Sequence, residues 1–543
     1  MTSHTPPISA TGRALRAMRS ESQRLSIDSW RPYVGIVGVL LGAIMSTLGT
    51  RVTTLGLADL RGGLHVGFDE GAWMTTSFGV GQMLVGVCCP YLGGILGVRR
   101  VVLIGIVVFF TSSLLAPMSP NLTAFLGMQF LAGVGSGTFI PLSMGFIARS
   151  LPARLITYGI AINAMNSELS QNVSASLEGW YSDNLSWRWI NWQYCGVLPV
   201  MFACVWYGIP REDIKTEMLE HLDWPGMAYA GLGFGLLYAG LDQGNRLDWT
   251  NNGLVSGLLA SGALVTTVLL VRELWAAGTP FLNLRLLFRH HLILLMLLIA
   301  GYRFIILSTS YIIPSYLQTV QNFRELQVGA VLLWIALPQF AIVLPLGYLL
   351  SRVDPRWVLA AGACLVGVAC LMGSQLTSAW ATDDFLQSQV LQALGQSFAL
   401  TSLLALVVRS MNPVDALTIG TLLQTSRLFG GEIGTAFMET FVRHREQIHS
   451  NLIGLHVDSL GRLTADRLAA YRNAVGAHTS DLATATAQAT NLLASAVAKQ
   501  ASVLAYIDGF LATTVGALIC LFCVMLLPAT RFANQATNDR NRG

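Results

Sequence analysis

Six charged side chains stand inside stretches that are otherwise apolar or small: Arg51, Glu168, Glu178, Arg303, Arg427 and Glu432. A buried charge without a partner is costly, so each is expected either to pair or to face a water-filled cavity. Three are basic and three acidic, which permits internal pairing. Glu168 lies in Asn163-Ala-Met-Asn166-Ser-Glu168-Leu-Ser-Gln171-Asn172, a polar helix face that lipid would not tolerate. That helix must line an aqueous path or pack wholly inside protein. Arg427 and Glu432 sit in Thr425-Ser-Arg427-Leu-Phe-Gly430-Gly431-Glu432-Ile-Gly434, whose glycines let a second helix approach closely. Their separation amounts to about 500° of helix rotation, so they do not face each other. A carboxylate among packed helices is the side-chain type that can carry a proton, and Glu168 and Glu432 are the candidates. The structural alternative for both is a helix-to-helix clamp. Glu178 stands nearer a span end and reads as interfacial.

Arg51 closes Leu48-Gly49-Thr50-Arg51, roughly 27 Å from the start of the first apolar run at 1.5 Å per residue. It either snorkels to the headgroups or faces the protein interior. Arg303, in Gly301-Tyr302-Arg303-Phe304, precedes the uncharged polar set Ser308-Thr309-Ser310-Tyr311. Gln82, Gln129, Gln339, Gln396 and Gln424 are scattered through other runs, each alone a common helix–helix hydrogen bond and together able to line a cavity. The candidates for substrate binding or coupling are Arg51, Gln129, Glu168, Arg303, Gln339, Gln424, Arg427 and Glu432.

The elements that position these groups must be membrane spans. The chain has 543 residues, 53% hydrophobic and only 11% charged. Soluble globular chains carry about 25% charged residues, so an all-α polytopic membrane protein is expected. Apolar runs place fourteen spans at about 33–60, 72–95, 100–117, 122–148, 155–181, 192–209, 224–241, 253–271, 291–313, 327–350, 356–375, 384–408, 415–439 and 504–528. With the N-terminus inside, twenty of the 33 Lys and Arg, among them Arg99, Arg100, Arg149, Arg211, Arg352 and Arg409, fall on the cytoplasmic side. Both termini are therefore expected in the cytoplasm of a bacterial cell, with the chain in its inner membrane. Residues 1–32 read as a cytoplasmic tail without the apolar core of a signal peptide. The expected units are 33–210 and 291–530 as six-helix bundles, 211–290 as a connector with two additional spans, and 531–543 as a C-terminal tail. The long outer loop 443–502 is alanine-rich and reads as one or two helices outside the bilayer, suited to docking a partner.

Several classes are excluded. The only lysines are Lys215 and Lys499, and neither follows a glycine, so no Walker A sequence exists and this chain does not itself drive pumping with ATP. The eight cysteines fall in apolar runs; Cys520 and Cys523 form a C-x-x-C in mid-span and read as inert packing residues. The His290-His291 pair has no companions at metal-ligand spacing. No cofactor, metal, enzyme chemistry or nucleic acid is implied.

Local signatures then carry a family resemblance. Gly133-Val-Gly135-Ser-Gly137-Thr-Phe-Ile-Pro141, Asp183-Asn184-Leu-Ser-Trp187-Arg-Trp189-Ile-Asn191, Arg427-Leu-Phe-Gly430-Gly431-Glu432-Ile-Gly434 and Tyr506-Ile-Asp-Gly-Phe510 resemble the fourteen-span drug:H+ antiporter group (EmrB/QacA type) of the major facilitator superfamily. The resemblance covers nearly the whole chain and implies two six-helix bundles plus two extra central helices. It implies a conformational-switch loop at Leu92, Gly97, Arg99 and Arg100, although Pro90 stands for the family's glycine and Gly94 for its acid. Other departures touch the mechanism. The family's Leu-Asp-x-Thr in span one corresponds to Leu48-Gly49-Thr50-Arg51; Gln129 replaces the fourth-span arginine; and the Gly-Pro-x-x-Gly-Gly of span five becomes Ser174-Ala175-Ser176-Leu177-Glu178-Gly179. The family's coupling residues therefore do not transfer to this chain.

The resemblance implies a secondary exporter of amphipathic organic compounds or drugs, driven by proton antiport with alternating access. Its partners would be the lipid bilayer, a small-molecule substrate, protons and a periplasmic adaptor at loop 443–502. Arg51 in place of an acid favours an anionic or zwitterionic substrate over a lipophilic cation. Uptake of an organic anion on the same scaffold, and a membrane receptor or scaffold without transport, are the alternatives.

Overall fold

A chain in lipid must satisfy its own backbone N–H and C=O groups, and long helices do this within each segment. The computed structural model describes residues 30–216, 222–275, 281–282, 290–410, 416–458, 461–477 and 481–528. Most of the two expected tails and part of the connector 211–290 lie outside the described residues.

The first six rods are α1 (Arg31–Leu55), α2 (Trp73–Leu96), α3 (Val98–Leu115), α4 (Leu122–Ser136 continued by Phe139–Ser150), α5 (Ala153–Asn184) and α6 (Trp189–Gly208). Two more, α7 (Trp224–Gly244) and α8 (Gly253–Trp275), follow the connector. The next five are α9 (His290–Ile305, a π-turn Ser308–Ile312, then Ile313–Gln321), α10 (Glu325–Arg352), α11 (Pro355–Gly373), α12 (Leu386–Ser410) and α13 (Ala416–Gly454). A short helix α14 (Arg462–Gly476) then leads into α15 (Leu482–Met525). Setting α14 aside, the described residues form fourteen long rods, which match the fourteen expected spans. Ten of them meet length and hydropathy limits for crossing a membrane on their own. The other four are α5 and α13, which carry the polar runs singled out above, and α6 and α7, rich in Trp, Tyr and Gly.

Rods α1–α6 enclose one apolar core, with Val52, Phe78, Phe109, Phe139 and Leu198 at its centre. Rods α9–α13 and α15 enclose a second, around Ile312, Tyr316, Val331, Ala393 and Phe510. The two halves meet along two seams, α5 against α10 and α2 against α13, and the added pair is anchored on the second seam, where α7 packs on α2 and α13. Only a small share of α8 is buried, which leaves most of it facing lipid. We call the side at which α1 begins the near face and the opposite side the far face.

At the near face, α2 and α3 are joined through Gly97 alone, at φ +87, a left-handed conformation natural to glycine. Its missing side chain leaves room for Glu212 of the connector. Arg99 donates to the Ile209 carbonyl (3.3 Å) and lies over the Trp206 ring at 4.6 Å, while Arg100 reaches back to the Leu96 carbonyl (3.2 Å). Leu92 packs on both cores, whereas Gly97, Arg99 and Arg100 contact only the first half and the start of the connector.

At the far face the expected loop 443–502 is almost wholly helical. Thirty-nine residues of α13 and 44 of α15 amount to about 58 and 66 Å, well beyond a ~30 Å hydrocarbon core. Both rods therefore project from the membrane, and α14 packs on α15. Asp508 of α15 ties them at the base, accepting from Arg445 and bonding His449, each at 2.6 Å.

Candidate functional site

Arg51 extends from α1 into the opposite half. Its Nη2 donates to the Ser310 carbonyl of α9 at 2.9 Å. Pro314 explains why that carbonyl is free, since proline has no N–H to return to the residue four positions earlier. The π-turn at Ser308–Ile312 shifts the ladder at the same place. The guanidinium thus spans the two halves and does not snorkel to headgroups.

Two turns before Ser310 on the same helix, Arg303 lies over Gly431 of α13: a Cβ at Gly431 would stand 3.2 Å from Arg303 Nε, and one at Gly430 would stand 2.6 Å from the Ala300 Cβ. The glycine pair is what lets α9, and the guanidinium it carries, lie flat on α13. Arg303 is within electrostatic reach of Arg51, Arg427, Glu168 and Glu432. It is the hub of the buried charges.

Tyr302 donates to Glu168 Oε1 at 2.7 Å, across from α9 to α5, and Tyr238 of the added helix α7 lies beside Glu432. The arginines, by contrast, hold neutral acceptors: Ser310 O for Arg51, and Gln424 Oε1 for Arg427 Nε at 3.2 Å. Among the described residues no carboxylate stands at ion-pair distance from Arg51, Arg303 or Arg427. Arg51 Nε, Arg303 Nε, Arg427 Nη2, Gln339 Nε2 and Gln424 Nε2 are buried donors with no partner.

Gln424 lies against Gly86 of α2, and Gln339 of α10 accepts from Asn172 of α5 at 3.4 Å. The structure therefore gathers Arg51, Glu168, Arg303, Gln339, Gln424, Arg427 and Glu432 between the halves. Gln129 is elsewhere, within the first half, donating to Asn191 at 3.5 Å. Glu178 sits at the far end of α5, accepting from Ser182 at 2.9 Å.

One group escaped the sequence reading. Asp242, one residue past the expected end of span seven, accepts hydrogen bonds from Thr76 of α2 and from Gln243 (3.2 Å), and lies within electrostatic reach of Glu432 and Glu439. The chain of bonds continues through Gln243 to Arg246 (2.8 Å) and on to exposed Asp69 at the far face (2.5 Å). The spacing Tyr238-x-x-x-Asp242, one helical turn, was the available signal.

The chain matches the Major Facilitator Superfamily over residues 39–435. It is 25% identical to the probable multidrug resistance protein EmrY of Escherichia coli over 78% of this chain and 82% of that protein. It is 22% identical to the fatty acid resistance protein FarB of Neisseria gonorrhoeae over 90% and 93%, and 21% identical to the colistin resistance protein EmrB of Acinetobacter baumannii over 82% and 87%. Among solved structures it is similar to the proton:xylose symporter XylE, with a TM-score of 0.55 at 11% identity over 92% of this chain and 96% of that one, a likeness of fold. Two packed halves, a charged interior between them and this match over most of its length place the chain in the Major Facilitator Superfamily, alongside its EmrB-type members.

Proposed function

We propose that the chain is a secondary active exporter that moves amphipathic organic compounds out of the cytoplasm in exchange for protons. The carrying observation is that polar and charged groups from both halves converge at the seams, where rocking of one half on the other exposes them to each face in turn. Glu168 and Glu432 are the proton-carrying candidates, the first held by the Tyr302 hydroxyl of another helix and the second lying beside Tyr238. Leu92, Gly97, Arg99 and Arg100 form the switch at the near face, which the distribution of Lys and Arg assigns to the cytoplasm of a bacterial cell, with both termini on that side. In this reading the units are two six-helix bundles, 33–210 and 291–530, with 211–290 as a connector carrying the added pair. The projecting ends of α13 and α15, with α14 between them, suit a periplasmic adaptor.

The test is flux in proteoliposomes under an imposed ΔpH, read with fluorescent cationic, neutral and anionic amphiphiles. Substrate movement against the direction of proton flow, abolished by collapsing ΔpH, is the expected result. Movement with the protons would instead make the chain an organic-anion importer, and binding without flux a receptor.

A further inference from the structure

We infer that Arg51, Arg303 and Arg427 form an anion-recognition site that holds the carboxylate, or a chemically similar planar oxyanion, of an amphipathic substrate between the two halves. The inference rests on the transport reading for what it calls a substrate, but its argument concerns the site itself. Three guanidinium groups come from α1, α9 and α13, and Arg303 feels both of the others. Placing like charges together inside a protein is unfavourable unless an opposite charge joins them. Glu168 and Glu432 lie within electrostatic reach of Arg303 and offset part of this charge, but two carboxylates stand against three guanidiniums and, among the described residues, neither reaches ion-pair distance of any of them. Arg51 and Arg427 are bonded to a carbonyl and an amide oxygen. Each arginine keeps a buried N–H without an acceptor, and Gln424 Nε2 adds another.

All three arginines retain partial exposure although they lie at span depth between helices. The missing complement is an acceptor with more than one oxygen, matched to the planar fork of a guanidinium. The flanks are apolar: Leu55, one turn beyond Arg51, and Leu428, beside Arg427, both pack on the second core. An anionic headgroup on a hydrophobic body fits this pairing; a cation would meet three like charges.

The experiment uses the full chain in nanodiscs of zwitterionic lipid and three probes that differ only in headgroup: 4-phenylbutyrate, 4-phenylbutan-1-ol and 4-phenylbutylamine. Titration calorimetry should show the carboxylate binding about tenfold or more tighter than the alcohol, with the amine weakest. Arg303→Ala should bring carboxylate and alcohol to within about twofold, Arg51→Ala and Arg427→Ala should each remove part of the preference, and Arg303→Lys should restore an intermediate share. The lysine variant also separates loss of charge from loss of fold, as does the unchanged binding expected for the alcohol. A carboxylate that binds no tighter than the alcohol in the wild type, or a preference that survives all three alanine variants, overturns the site. Flux of a cationic amphiphile with no carboxylate preference would sink the site and leave export standing. An arginine-dependent preference without flux of any probe would do the reverse.

Discussion

The two seams between the halves are made of different materials. Along α5 and α10 the contact is built from small residues at backbone distance. A Cβ at Gly329 would stand 2.5 Å from the Ser176 nitrogen, one at Gly179 would stand 2.3 Å from the Leu326 nitrogen, and Gly347 lies on the Tyr158 ring. At its far-face end stands the exposed pair Arg324–Asp183 at 3.4 Å. Along α2 and α13 the contact runs through polar side chains: Tyr91 bonds Thr418, Gln424 lies on Gly86, and Arg427 and Glu432 follow, with α7 adding Tyr238 and Asp242. One seam has little tolerance for added volume and the other little tolerance for altered charge. An alternating-access protein can use both properties, a close-packed track to slide on and a polar face whose bonds change between states.

That contrast is broken most directly by adding volume. Gly329→Val should reduce flux by on the order of tenfold or more, because its new atoms meet the α5 backbone, which cannot yield as a side chain can. Gly86→Ala should leave flux within about twofold, since the Cβ would meet the Gln424 amide at 3.1 Å and Leu428 Cδ1 at 3.4 Å, both ends of flexible side chains. Proteoliposome flux with matched protein incorporation reads both. Equal effects of the two substitutions would show that the seams do not differ in the way the packing implies.

Charge removal is the second lever. Glu432→Gln should abolish the ΔpH dependence of flux, and Asp242→Asn should weaken it several-fold, because Asp242 lies within electrostatic reach of Glu432 and begins a bonded chain that ends at the far face. Glu168→Gln tests the other seam's acid, and Tyr302→Phe, which strips its partner hydroxyl, should reproduce part of the effect. If Glu168→Gln alone removes ΔpH dependence while Glu432→Gln retains it, the proton path belongs to the α5 side and the polar seam serves the substrate. Dependence that persists in both variants would remove both acids from proton transport.

How much of this could be read beforehand differs by level. Fourteen rods were legible because a run of apolar residues long enough to cross lipid is a local property, and Arg51, Arg303 and Arg427 stood out because charge is rare in such runs. The partners were not legible. Nothing local says that Tyr302 donates to Glu168 across 134 positions, or that Pro314 frees the carbonyl that Arg51 finds 259 positions away. Asp242 was missed at a span boundary, where hydropathy fades gradually and a cut one residue early hides an acid. Gln129 looked equivalent to the other amides until packing assigned it to the interior of one half. The loop 443–502 was read as separate from its spans, whereas α13 and α15 simply continue through it; an alanine-rich helix does not end where lipid does.

A single hydrogen bond gives the prediction most specific to the polar seam. Tyr91 and Thr418 share a 2.8 Å hydrogen bond near the near-face ends of α2 and α13, with Gly94 pressed on Leu417 beside it. Tyr91→Phe keeps the ring, which packs on Phe281 at 4.8 Å, and removes one bond worth about 1 kcal/mol net. That corresponds to roughly a fivefold larger population with the near face open. Hydrogen exchange of the near-face ends of α2 and α13 should therefore speed up by about the same factor. Thr418→Val should match it, and the double variant should add little, because each single change already breaks the one bond they share. Asn172→Ala, which removes the 3.4 Å contact to Gln339 on the other seam, should change exchange at the near face by less than about twofold. Exchange that is unaltered in Tyr91→Phe, or that responds equally to Asn172→Ala, would mean that the near face is held by backbone packing on both seams and that the polar contacts of α2 and α13 do not gate it.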